Sequence, residues 1–89
     1  MPELIRTYHT HIRTPEGTMY IPRAVAARTV DGRWEAWLEF EPAGHAGPSL
    51  HTERETTQAS RTAVETWAAG LEPVYFEGAF ARAHVVAAR

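Results

Sequence analysis

The sequence predicts an α+β fold, an antiparallel three- or four-stranded meander followed by one or two C-terminal helices packed on one face. Three observations carry this. Trp34, Ala36, Leu38 and Phe40 alternate with Glu35, Trp37 and Glu39, the two-residue period of a half-buried strand. Asp31-Gly32 stands just before them and tolerates the positive φ angles of a two-residue type I′ hairpin turn. Ala63, Val64, Trp67, Ala68 and Leu71 then recur at spacings of three and four, the apolar stripe of a helix. With 89 residues the chain makes one domain, 1–89. Its core is thin, because a chain this short buries only about 60–65% of its unfolded surface.

The elements follow in order. Leu4 to Ile12 alternates, with Tyr8, Thr10 and Ile12 pointing one way and His9 and His11 the other, which predicts a first strand. Pro15-Glu16-Gly17-Thr18 is a turn. Met19 to Val30 is a second strand, and Pro22 within it, lacking an N–H, marks an edge or the strand's start. The third strand runs from Arg33 to Glu41, with Trp37 among carboxylates on the face opposite the core. Pro42 to Pro48 is a loop by composition, and Ser49 to Glu53 a short fourth strand. Thr57 or Ser60 caps the first helix, and Gly70 suits its end. Pro73 opens a second helix with Phe76, Ala79, Phe80, Ala83 and Ala87 at helical spacing; a strand at Val74-Tyr75-Phe76 is the alternative.

Composition removes several kinds of chemistry. The chain has no cysteine, so thiol catalysis, disulfides and thiolate metal sites are excluded. Every basic side chain apart from histidine is arginine, so there is no lysine for Schiff-base chemistry. A formal charge of −2 argues against charge-driven binding of nucleic acid or an anionic membrane. The apolar runs are far shorter than the about 20 residues of a membrane span, and no signal peptide is visible. The expected location is cytoplasmic.

Two polar constellations can bind a ligand. His9 and His11 share one face of a strand, about 7 Å apart at Cα, where two imidazoles can hold a metal with a third ligand from Glu39 or His51. The competing reading is two surface histidines. The segment around His51, Arg54, Thr56 and Thr57 is the densest polar cluster, placed before a helix whose free N–H groups can take a phosphate or carboxylate. The competing reading is a capped helix start with surface Arg–Glu pairs. Glu35, Glu39 and Glu41 line one side of a strand, which is ordinarily a solvated face. No nucleophile–base motif is present, so no catalytic residue is assigned, no cofactor is expected and the chain is read as non-enzymatic.

The order of elements resembles the HicB-type antitoxin domain. The matching pieces are Tyr20 to Val30, the Asp31-Gly32 turn, Trp34 to Pro42, the Gly44–Gly47 loop and the helix from Thr57 to Leu71. The chain departs from that family in its extra N-terminal strand, in a helical C-terminal segment where the family continues with a strand, and in having no DNA-binding module after it. The resemblance implies a partner-binding role, often through dimers, and carries over no active-site residue. The residues themselves point the same way, toward a small protein-interaction domain. The expected state is a homodimer, with Trp37, Phe76 and Phe80 as the apolar contact residues, or a complex with another protein.

Overall fold

The computed structural model describes residues 1–45 and 47–85. Ala87 of the second helical stripe lies outside them. The fold is α+β: an antiparallel sheet with two C-terminal helices packed on it. The strands are β1 (Glu3–Thr7), β2 (Ile12–Arg13), β3 (Met19–Arg28), β4 (Trp34–Pro42), β5 (Leu50–His51), β6 (Thr56–Gln58) and β7 (His84–Val85). The helices are α1 (Arg61–Ala69) and α2 (Pro73–Arg82). β1 and β2 succeed one another along one side of β3, β5 and β6 along the outer side of β4, and β7 borders β5.

The β3–β4 hairpin is the centre, paired without a break from Tyr20↔Pro42 to Arg28↔Trp34. Its turn differs from the expected type I′ form. β3 ends at Arg28, and Thr29 N–H donates to the Arg33 carbonyl (2.8 Å), which closes a three-residue loop. Gly32 N–H donates back to the Thr29 carbonyl (3.0 Å), and Gly32 has φ +86°. Val30 and Asp31 therefore form the turn, and Gly32 is the left-handed residue that returns the chain to the strand. A β-branched residue is strained at that φ, so Gly32→Val is expected to cost roughly 1–3 kcal/mol, read as a lower urea midpoint.

Pro22 lies neither at an edge nor at a strand start. It sits inside β3, between two partners. The ladder accommodates it by stopping. β1 pairs as far as Thr7↔Arg23, Tyr8 N–H donates to the Pro22 carbonyl (3.0 Å), and Pro22 has no N–H to return. Residues 8–11 leave the ladder, and pairing resumes only at Ile12↔Tyr20. The single strand expected from Leu4 to Ile12 is thus two short ones.

A second interruption faces it across the sheet. Between His51↔Glu39 and Thr56↔Ala36 the chain arches away from β4. Buried Thr52 satisfies both backbone groups of Leu38 there: it donates its N–H to the Leu38 carbonyl (2.9 Å) and accepts the Leu38 N–H on Oγ1 (3.1 Å).

Ser60 is the cap of α1, its Oγ accepting from Ala63 N–H (3.1 Å). Thr57 is not a cap, because it pairs with Glu35 in β6. Gly70 ends α1 with an ordinary right-handed φ of −90°. Pro73 opens α2, and Val74-Tyr75-Phe76 are helical rather than extended. Both helices cover the face carrying Ala24, Ala36, Leu38 and Phe40. Tyr8, Tyr20, Leu38, Phe40, Ala68, Phe76 and Ala79 form the main core, and Ala26, Ala36 and Val64 a smaller one. Half-buried Trp67 packs against both.

Phe76 and Phe80 therefore do not form an open patch. Phe76 is 1% exposed, with its ring 4.4 Å from that of Tyr8. Phe80 sits 5.2 Å from both Tyr20 and Phe40. The sheet has enough core face to take both rings, which corrects their expected place at an interface.

Candidate functional site

The helices occupy one face of the sheet, and no element among the described residues packs on the other. Its residues follow from the register. β4 contributes Glu35, Trp37, Glu39 and Glu41, opposed on β3 by Ala27, Val25, Arg23 and Ile21. On the other side Thr57 stands beside Glu35 and His51 beside Glu39, with His84 of β7 next to His51. Leu4 stands beside Val25. Leu4, Val25 and Trp37 thus form a short apolar row across three strands, with Trp37 half-buried at its inner end.

A charged row borders it. Arg23 Nη2 donates to Glu39 (3.0 Å) and Glu41 (3.3 Å), and Glu41 also accepts from Ser49 Oγ (2.8 Å). Arg23 Nε is buried without a partner. Trp37 Nε1–H donates to the second Glu39 oxygen (3.4 Å). Arg54 hangs over Glu35 at 3.8 Å and is 63% exposed, too long and too wet for a strong pair. A depression of about 360 Å³ lies here, lined by Glu35, Trp37, Glu39, His51, Glu53 and Arg54. A neighbouring one of about 420 Å³ runs toward the hairpin, between Arg33, Arg54 and Thr57.

The polar cluster is only partly brought together. His51, Arg54 and Thr57 share the uncovered face, but Thr56 pairs with Ala36 on the covered one. Thr56 and Thr57 lie in a strand ahead of Ser60, so they do not present the free N–H groups of the α1 start that the anion reading needs. His9 and His11 are exposed in the break between β1 and β2 instead of sharing a strand face. Glu39 and His51 belong to the far side of β3. Among the described residues no three histidine or carboxylate side chains are grouped to hold a metal ion. One approach of two histidines was not foreseen: the rings of His51 and His84 are 6.3 Å apart, and His84 Nε2 is 3.7 Å from Glu53.

Glu55 is the other residue missed in the sequence. Its side chain is 4% exposed, and both oxygens are occupied by the Arg82 guanidinium (2.7 and 3.1 Å), with a further bond from the Tyr75 hydroxyl. Burial alone would raise the Glu55 carboxyl, but the bonds from Arg82 and Tyr75 outweigh it and hold it below the ordinary carboxylate value. Burial and the same contact push Tyr75 up to about 12. Burial likewise raises Tyr8 to about 12, and its hydroxyl donates to the Ala68 carbonyl (2.6 Å). All three groups are committed to holding helices on the sheet, and none lines the depressions around Arg54. No helix among the described residues is long and apolar enough to cross a membrane. No family model, curated protein or solved structure matches the chain.

Proposed function

We propose that this chain is a small non-enzymatic protein-interaction domain whose working surface is the uncovered sheet face around Trp37. The observation that carries this is the position of Trp37, a half-buried indole at the centre of a face on which no described part of the chain packs. A large aromatic ringed by polar groups is the usual anchor of a protein contact. The antitoxin-like form of this reading is supported by the β3–β4 hairpin, the Gly44 loop and α1 following in the order that the HicB-type resemblance requires. β1 before the hairpin and α2 after α1 depart from it.

Self-association is the first form to test. With Phe76 and Phe80 in the core, a two-fold contact falls to the sheet face. Light scattering across the micromolar range reads the mass. A two-chain mass that Trp37→Glu returns to one chain with the far-UV spectrum unchanged would assign this face to a second copy, because the added carboxylate would be buried there without a partner. A two-chain mass indifferent to Trp37→Glu places the contact elsewhere and overturns the assignment of this face. A one-chain mass throughout rejects the dimer and leaves the face to a different protein.

A further inference from the structure

Resting on that reading of the sheet face, we propose that the partner presents an arginine side chain that seats over Trp37 between Glu35 and Glu39. The depression at Trp37 is lined by three carboxylates, Glu35, Glu39 and Glu53, against one guanidinium, that of Arg54, so this part of the face is complementary to a cation.

β4 itself shows which cation fits. Where Glu39 and Glu41 stand two residues apart, one guanidinium, that of Arg23, bridges them at 3.0 and 3.3 Å. Further along the same strand face, Glu35 and Glu39 stand four residues apart on either side of Trp37; Glu39 is held by Arg23 and by the Trp37 Nε1–H, and among the described residues no guanidinium bridges it to Glu35. Arg54 approaches only Glu35, at 3.8 Å. The depression of about 360 Å³ at this point is large enough for a side-chain head group and has Trp37, Glu39 and Glu53 on its lining, with Arg54 beside Glu35. Arginine suits the place better than lysine, because its planar fork serves two carboxylates at once and stacks on an aromatic surface, where an ammonium acts as a single hydrated point charge. A second copy is the poorer occupant: a two-fold contact centred on Trp37 sets the glutamates of β4 against those of its mate, and like charges face each other.

The test is an NMR titration of the ¹⁵N-labelled chain at low salt with octa-arginine and, separately, octa-lysine, read at the Trp37 indole N–H. The expected result is a saturable shift of that resonance by octa-arginine, with octa-lysine at least several-fold weaker. Glu35→Gln and Glu39→Gln should each weaken octa-arginine binding by about threefold to tenfold. Glu35→Gln is the cleaner variant, since Glu39 also holds Arg23. Glu77→Gln, exposed on α2, should change nothing. Equal binding of the two peptides, or indifference to Glu35→Gln, reduces the effect to diffuse charge and overturns the proposal. Should octa-arginine leave the indole unmoved while Trp37→Glu still splits a dimer, the arginine seat falls and the sheet-face reading stands. Shifts confined to α1 and α2 would remove both.

Discussion

Phe76→Ala is expected to cost about 3–5 kcal/mol and to leave little folded protein at 37 °C. A chain of this size holds a total on the order of 5–10 kcal/mol, so one such loss consumes much of it. Phe76 is 1% exposed and lies in the main core with Leu38, Ala68 and Ala79. Its ring is also the neighbour of Tyr8 at 4.4 Å, and Tyr8 ties the end of β1 to α1 through the Ala68 carbonyl. Truncation therefore leaves a cavity and loosens a second tie. Val74→Ala is the control, two residues away on the same helix but 74% exposed, and it should stay within about 0.5 kcal/mol. Urea melts of the two variants decide the matter. A Phe76→Ala chain as stable as the wild type would return Phe76 to the surface, where the sequence alone had placed it.

Glu55→Gln is expected to cost about 2–3 kcal/mol at pH 7 by weakening the charge-assisted bonds from Arg82 and the bond from Tyr75. The effect depends on pH with a definite sign. The folded carboxyl titrates below its unfolded counterpart, so its contribution is complete above the unfolded value, about pH 4.3, and is lost as pH falls through the folded value. Wild type and Glu55→Gln should differ by a constant amount from about pH 5.5 to 8, and the gap should narrow below about pH 4.5. Urea midpoints measured at several pH values check this. A gap that persists undiminished at pH 3 would show that packing, not the charge of Glu55, holds α2 to the arch.

Legibility in the sequence followed the kind of interaction. The alternation of Trp34 to Phe40 and the stripe from Ala63 to Ala68 are periodic, and both became the elements they predicted, although Leu71, the stripe's last residue, falls beyond the end of α1 at Ala69. Trp37 was placed on the correct face by the same period, with Val25 as its cross-strand neighbour. The errors arose where a bond between distant residues overrides a period. Tyr8 to Ile12 alternates, yet Pro22 cannot donate to that stretch, and His9 and His11 lose their common face. Thr52 supplies a bond that a strand would otherwise make, so β5 and β6 separate where one polar segment was expected. Glu55 meets partners 20 and 27 residues away, a pairing that no local pattern announces. Phe76 and Phe80 were read as surplus because a sequence does not say how much sheet awaits them.

The missing donor at Pro22 also bears on which wrong structures this chain can avoid. A strand that slides by one residue against its neighbour exchanges its inward and outward side chains. Here a continuous pairing of residues 3–13 along β3, in the observed register or a shifted one, has to cross position 22, and on the side where Pro22 faces the first strand that position can accept a hydrogen bond but not give one. The proline thus acts as a stop in the ladder. It confines β1 to Arg23 and beyond, and pairing along that side of β3 resumes only at Tyr20.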